Sequence, residues 1–163
     1  MVLTSLVEAM GMQASRASDM LRDLRRSGLK LTPQRIAIVR LFAADSSHPT
    51  AQDLFERLRC EFPSMSFATV YNTLDALARA GLAGIVRLPG KRGDAARFDP
   101  NGTPHHHAVC ERCGAVIDIA AGTLAPTAAS ARRLQRAAPG FSVRTVEKTY
   151  RGLCATCVRR GSQ

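Results

Sequence analysis

Three histidines and two cysteines lie within the short segment HHHAVCERC, residues 105–113. Imidazole nitrogens and thiolate sulfurs are side-chain groups that zinc and other transition metals prefer in proteins. The segment therefore raises a choice between one metal site, two metal sites and a polar turn that binds no metal.

The cysteines of this segment form one half of a repeated spacing. Cys110-x-x-Cys113 has the same form as Cys154-x-x-Cys157 further along the chain. Four thiolates make a soft, closed, tetrahedral shell, which suits a structural zinc ion and leaves no open position for chemistry. Such zinc binding contributes ~10–16 kcal/mol, comparable to the whole stability of a small domain. Four buried thiols without a metal are the less favoured alternative.

The histidines suit a different kind of site. On a strand, His105 and His107 point to one face, whereas Cys110 points to the other. Pairing with the next strand predicts that Asp118 lies roughly opposite His105. Two imidazoles and a carboxylate suit iron(II), manganese(II) or zinc(II), less tightly than four thiolates do. A solvent-exposed polar strand without a metal is an equally good explanation of the residues alone.

The composition describes an ordinary globular protein. The chain has 163 residues, of which 45% are hydrophobic and 22% charged, which allows one domain or two small ones. Its apolar runs are too short to cross a membrane, and its first residues lack the basic start of a signal peptide. We expect a cytoplasmic protein without a membrane partner. In that compartment the cysteines indicate metal binding rather than disulfides, and Cys60 is predicted to be a buried structural cysteine.

The net charge of +10 suggests a polyanionic partner, most often nucleic acid. Residues 1–100 carry 14 basic and 10 acidic side chains, net +4, and residues 101–163 carry 9 and 3, net +6. The excess is therefore spread over both halves, and charge alone does not indicate which half contacts DNA.

The N-terminal part of the chain is rich in helix signals. Residues 1–14 are expected to be a loose arm, and a helix is predicted from Ser15 to Gly28. Thr32, Thr50 and Ser66 are predicted N-caps of three further helices. Their predicted buried faces comprise Ile36, Val39 and Phe42, then Leu54, Phe55 and Leu58, then Val70, Leu74 and Leu77.

Two short strands follow, LAGIVRL at 82–88 and AARFD at 95–99, joined by the basic turn PGKRGD. Helices followed by a basic hairpin are typical of a winged helix-turn-helix, which we expect over residues 15–99. Residues 100–163 are predicted to form a small α/β unit of strands near 105–110, 115–119 and 141–152, with a helix near 127–138. The predicted fold class is thus α+β, with a winged helix-turn-helix followed by a small, zinc-stabilised α/β unit.

Six motifs in this order resemble those of the ferric uptake regulator (Fur) family. They are GLKLTPQR at residues 28–35, HPTA at 48–51, ATVY at 68–71, RFD at 97–99, His105-x-His107 and the two cysteine pairs. The resemblance implies a homodimeric, metal-dependent transcriptional repressor that binds double-stranded, palindromic operator DNA. Residues 100–163 would be its dimerisation and metal-binding domain. It implies no enzymatic activity.

Within that family the chain is most similar to the peroxide-sensing PerR branch. Asp118 stands where iron-sensing members tend to have glutamate, and Asn72 where they usually have arginine. His106 replaces a commonly aromatic residue, and the segment FSVRTVEKTY lacks the histidine of a third metal site. The resemblance implies that a regulatory iron or manganese ion is held by His48, Asp99, His105, His107 and Asp118.

The resemblance also implies a mechanism. A metal bound by ligands from both units would fix their relative angle and so favour the DNA-binding form. Iron(II) would react with peroxide, and oxidation of His48 or His107 would release the metal and then the DNA. The candidate DNA contacts are Tyr71, Asn72 and Arg79 on the fourth helix, with Lys91 and Arg92 in the wing. Tyr71 could instead pack partly against the wing.

Three other functions remain open from the sequence. The first is an iron- or manganese-responsive repressor that ignores peroxide, against which Asp118 and Asn72 argue. The second is a small non-haem iron enzyme, which leaves the winged helix unexplained. The third is a zinc-stabilised interaction module, which leaves the histidines and aspartates without a role. Metal stoichiometry distinguishes the sensor, with one zinc and one exchangeable metal per chain, from the module, with zinc alone.

Overall fold

The computed structural model describes residues 2–87, 96–120, 128–141 and 146–161, with only the backbone given for 2–13 and 128–131. The chain divides into two compact units, Met1–Gly102 and Thr103–Gln163. The division lies three residues beyond the boundary that the sequence predicts after Asp99. No helix in the described ranges is both long and apolar enough to cross a membrane.

The first unit contains four helices. They are α1 (Val2–Arg26), α2 (Pro33–Ala43), α3 (Ala51–Leu58) and α4 (Phe67–Arg79). Helix α1 begins much earlier than the sequence predicts, so the segment expected to be a loose arm is helical.

The three predicted N-caps are confirmed. The side chains of Thr32, Thr50 and Ser66 each accept a hydrogen bond from the backbone N–H three residues later. At α3 the arrangement is reciprocal, because the Thr50 N–H also donates to Asp53 Oδ2 at 2.8 Å. Such caps satisfy backbone groups that a helix leaves without partners, and so they fix where each helix begins.

The core of the first unit is formed by the apolar faces of these helices. Helix α2 contributes Ile38 rather than the predicted Ile36, which is half-buried. Cys60 is exposed, so the prediction that it is a buried structural cysteine was wrong. It lies in the turn after α3, beyond the last buried residue of that helix. The fully buried side chains include Leu24, Ile38, Phe42, Leu54, Leu74 and Leu77.

The helices are followed by a hairpin of β1 (Gly84–Arg87) and β2 (Ala96–Asp99). The strands pair antiparallel, with Gly84 opposite Asp99. The predicted basic turn, with Lys91 and Arg92, lies outside the described residues. Four helices and a hairpin thus follow the order expected of a winged helix-turn-helix.

The second unit contains a three-stranded sheet. Its elements are β3 (His106–Cys110), β4 (Val116–Ile119), α5 (Ala128–Ala137), β5 (Thr149–Gly152) and α6 (Ala155–Arg159). Strand β3 is central, antiparallel to β4 and parallel to β5. The predicted α+β class is confirmed, and the short helix α6, which the sequence analysis did not anticipate, carries the last cysteine.

Replacing Thr50 by alanine should destabilise the first unit by about 1 kcal/mol, because the cap of α3 is lost. Urea unfolding, monitored by the circular dichroism signal of the helices, would measure this change in the free energy of unfolding. Thr50→Ser keeps the hydroxyl and should cost far less. Equal losses in both variants would show that the threonine methyl group, and not the cap, stabilises the unit.

Candidate metal centres

The four paired cysteines converge in the second unit. Cys110 ends β3, Cys113 lies in the following turn, Cys154 is the N-cap of α6 and Cys157 lies within α6. One sulfur from each lies within 4.8 Å of the others, and the Cys113 and Cys154 sulfurs are 3.7 Å apart. None of the four is in a disulfide. This is the donor set of a structural zinc site.

The cluster distributes negative charge unevenly. Backbone N–H groups of Cys113 and Cys154 point at the Cys110 sulfur and lower its pKa to about 6. Burial raises the pKa of the Cys157 thiol to about 12, helped by the neighbouring cysteines. Four thiolates so close together repel one another, and a divalent cation at their centre would remove that repulsion. The cysteines therefore fit a bound zinc ion.

Arg112 links the two cysteine pairs. Its Nη1 donates to the Cys157 carbonyl at 2.6 Å. A Cβ at Gly161 would lie 2.8 Å from the same guanidinium, so the chain after α6 passes close against it. An arginine inside the first C-x-x-C spacing thus holds the backbone of the second.

The second unit also brings together His105, His107 and Asp118. Asp118 Oδ1 lies 3.3 Å from His105 Nε2 and 3.8 Å from His107 Nε2. The two imidazole rings have their centroids 4.4 Å apart. Two nitrogens and a carboxylate oxygen thus face a common point, as the sequence predicts.

The predicted strand register was wrong, because Asp118 pairs with His107 and not with His105. The turn from Cys110 to Ala115 includes Gly114, which has a φ of 72° and donates its N–H to the Cys110 carbonyl at 2.8 Å. This longer turn shifts the pairing by two residues. A shift of two keeps every side chain on its original face, so the carboxylate still meets both histidines.

The ring of His105 is held in one orientation. Its Nδ1 lies 2.8 Å from the Thr103 carbonyl oxygen, which can only accept a hydrogen bond. Nδ1 must therefore carry a proton, so Nε2, on the side of Asp118, is the ring nitrogen available to bind a metal. Orientation of a ligand histidine by a hydrogen bond from its other nitrogen is a common feature of protein metal sites.

His106 has a different role from its two neighbours. It is 2% exposed, and its Nδ1 accepts a hydrogen bond from the Lys148 N–H at 3.3 Å. That nitrogen is thereby used to attach β3 to the segment that enters β5. His106 is not among the side chains that meet Asp118.

The first unit holds the other two predicted ligands. His48 and Asp99 are each 1% exposed, and His48 Nε2 lies 3.8 Å from Asp99 Oδ1. Asp99 Oδ1 also accepts a hydrogen bond from the Asn101 N–H at 2.8 Å. A Cβ at Gly84, across the hairpin, would lie 3.4 Å from the Asp99 Cβ, so the Asp99 side chain packs closely against this glycine.

His48 has an unusual backbone. Its φ of 55° is the one positive value at a non-glycine position in the described residues, and this conformation costs about 1–2 kcal/mol.

The sequence analysis did not single out three residues that support the sites, namely Arg97, which contacts the His48 carbonyl, Thr103 and Arg112. The RFD motif was the available signal for Arg97, whereas ordinary polar residues such as Thr103 carry none.

The predicted DNA-contacting residues of α4 lie on its surface. Tyr71 is 46% exposed, and Asn72 is exposed beside it. The Tyr71 ring also meets Phe98 of β2 edge to face, at 6.5 Å between centroids, so the alternative of partial packing holds as well. Arg79, in the last turn of α4, is exposed and pairs with Asp75 at 2.6 Å.

In the reduced chain freed of metal by a chelator, under conditions in which circular dichroism shows that the second unit keeps its fold, one thiolate should form as the pH rises through about 6. Below that pH Cys110 is a thiol, and above it the neighbouring N–H groups stabilise its anion. The ultraviolet absorbance of thiolate would follow this titration. Cys110→Ser should abolish the early step, whereas Cys60→Ser, at an exposed position, should leave it. Persistence in Cys110→Ser would assign the low pKa to another cysteine.

Comparison with known proteins agrees with this architecture. The family model described as "Ferric uptake regulator family" matches residues 26–147. The chain is 34% identical over 150 residues to the peroxide operon regulator of Bacillus subtilis, covering 91% of this chain and 98% of that protein.

Two solved structures share the fold. The ferric uptake regulator of Helicobacter pylori matches with a TM-score of 0.67 at 17% identity, covering 90% of this chain and 93% of that chain. The peroxide stress regulator of Campylobacter jejuni matches with a TM-score of 0.62 at 25% identity, covering 84% and 98%. The chain therefore belongs to the ferric uptake regulator family of metal-dependent transcriptional regulators, which are not enzymes.

Proposed function

We propose that this protein is a DNA-binding transcriptional repressor that senses hydrogen peroxide through a bound iron ion. The observation that carries the proposal is Asp118, whose carboxylate lies between the His105 and His107 imidazoles. A relative with 34% identity, the B. subtilis protein, is a peroxide operon regulator. An aspartate at this position is also the feature by which the chain resembles the peroxide-sensing branch.

A structural zinc ion is the first part of the proposal. Cys110, Cys113, Cys154 and Cys157 would bind it, because their sulfurs already surround a common centre. One end of β3 and the start of α6 would thereby be joined. Four thiolate ligands leave no position for peroxide or substrate, so this ion has a structural role.

The second part is an exchangeable iron or manganese ion. His105, His107 and Asp118 offer three ligands, and His48 and Asp99 offer two more. Neither set alone completes the five or six ligands usual for these metals, and the family resemblance supports their joint use. Nitrogen and carboxylate ligands also suit iron(II) and manganese(II) better than they suit softer ions. Metal binding by residues of both units would then favour one arrangement of the repressor.

When bound, iron(II) would pass one electron to hydrogen peroxide and split its O–O bond, which leaves an oxidant able to attack an imidazole ring. His48 and His107 are the proposed targets of the resulting oxidation, which adds one oxygen atom to an imidazole ring. An oxidised imidazole is a weaker nitrogen donor, so the ligand set loses affinity for the metal and the repressor leaves DNA. Manganese(II) in the same site would support DNA binding without this oxidation.

The proposed DNA contacts lie on α4. Asn72 can form two hydrogen bonds to adenine, and Tyr71 can contact a thymine methyl group or a phosphate. Arg79, Lys91 and Arg92 would contact phosphate, with the wing lysine and arginine contributing mainly to salt dependence. A palindromic operator requires a homodimer. Strand β5, at the sheet edge with all four residues exposed, is a surface suited to pairing with a second copy.

Asp118→Ala should weaken manganese-activated operator binding at least ~10-fold, about 1.4 kcal/mol, because the carboxylate ligand is lost. Zinc content should stay at one ion per chain. Fluorescence anisotropy with operator DNA and elemental analysis would measure the two quantities. Asp118→Glu, which keeps a carboxylate, should retain metal-activated binding. Tight, metal-dependent binding by Asp118→Ala would remove Asp118 from the ligand set.

Peroxide should release the iron form from DNA and leave the manganese form bound. The same samples, analysed by mass spectrometry, should show one added oxygen on the His48 peptide or the His105–His107 peptide of the iron form. If both forms stay bound and no histidine gains oxygen, the protein is an iron- or manganese-responsive repressor without peroxide sensing.

A further inference from the structure

The conformation of His48 must be held by its surroundings. A positive φ is unfavourable for a residue with a Cβ, and the following Pro49 further restricts the His48 backbone. In a peptide without other contacts, this residue would seldom adopt that conformation. Its imidazole nevertheless lies buried beside Asp99, so the backbone geometry and the ring position are coupled.

Strand β2 supplies the contacts that hold this segment. Arg97 Nη1 donates to the His48 carbonyl at 2.9 Å. The Phe98 N–H donates to the Pro49 carbonyl at 2.9 Å, and Thr50 forms an antiparallel bridge with Arg97. Two consecutive residues of β2 therefore bind three consecutive residues of the segment before α3.

The same strand also carries Asp99. Residues two apart on a strand point to the same face, so Arg97 and Asp99 project together. Arg97 reaches the main chain of His48, and Asp99 lies near its ring. Of the three contacts that hold residues 48–50, only the hydrogen bond from Arg97 to the His48 carbonyl uses a side chain of β2. The other two use backbone atoms of β2.

We propose that Arg97 is a positioning residue for the exchangeable metal. It holds His48 in the left-handed conformation that places the imidazole beside Asp99, so these two ligands are preorganised before the metal binds. Without the guanidinium, the segment would relax toward ordinary backbone angles and the ring would leave its place. Removing a supporting contact of a metal ligand typically weakens metal binding ~10–100-fold.

This inference rests on the proposed function, since it requires His48 to be a ligand. Its test measures manganese(II) binding to the full-length, zinc-loaded protein. The electron paramagnetic resonance signal of the free ion gives the unbound concentration. Arg97→Gln removes the charged donor and should raise the manganese dissociation constant at least ~10-fold. Arg87→Gln is the matched control, because Arg87 lies opposite Ala96 in the same hairpin and is exposed. It should leave the constant unchanged.

A double-mutant cycle separates positioning from general stability. His48→Asn removes the ligand with a residue type that tolerates positive φ, and it should weaken manganese binding by itself. Adding Arg97→Gln to His48→Asn should then produce no further loss, because the arginine acts through His48. An equal further loss in the double variant would overturn the proposal, as would unchanged affinity in Arg97→Gln.

The outcomes distinguish this inference from the proposed function. If His48→Asn keeps the affinity of the unmodified protein, His48 is not a ligand and the proposed ligand set fails. If His48→Asn binds weakly while Arg97→Gln binds normally, only the positioning role fails.

Zinc content and circular dichroism show whether each variant is folded. Should Arg97→Gln fail to fold, Arg97→Lys, which keeps one charged donor, should show a smaller loss of affinity. Normal affinity in that variant would show that the guanidinium is not required and would overturn the proposal.

Discussion

Strand β3 carries ligands of two chemical kinds, and the second unit depends on where its neighbours pair with it. Cys110 ends the strand, while His107 and the preceding His105 lie toward its start. Antiparallel pairing with β4 brings in Asp118, and parallel pairing with β5 leads the chain to Cys154. A change of register by one residue would turn His107 and Cys110 away from the faces on which their present partners lie and would dismantle both ligand sets together. Sheet pairing is therefore the constraint from which both sets follow.

The two sets of potential ligands suit different tasks, the cysteines a stabilising ion and the histidines and aspartate a responsive one. Thiolates hold a metal tightly in a closed shell, whereas imidazoles and carboxylates hold it in a weaker, exchangeable one. Because both sets share β3, a permanent ion would keep the strand in place while a second ion comes and goes. The proton held by His105 Nδ1 against Thr103 and the guanidinium of Arg112 against Cys157 support each set from outside. Neither support involves a residue of the other set.

The sequence was sufficient for features that depend on nearby residues. The caps at Thr32, Thr50 and Ser66 were predictable because donor and acceptor are three residues apart. Ligand types and spacing likewise indicated the four cysteines. The contact of Arg97 with the His48 carbonyl spans 49 positions, and no local pattern encodes it. The register of Asp118 was missed because it depends on the length of a turn that Gly114 extends, and Cys60 because its burial depends on where α3 ends.

The buried apolar side chains are distributed unequally between the two units. Among the described residues, the contiguous hydrophobic core contains only side chains of the first unit. Buried apolar side chains of the second unit are limited there to Val109 and Val116, besides two of the clustered cysteines. With zinc bound as proposed, heat would act on the first unit through its core, whereas a chelator would act on the second through its sulfurs. The chain would then lose its structure in two separate ways, one on heating and one on removal of the metal, and a single melting temperature would describe only the first.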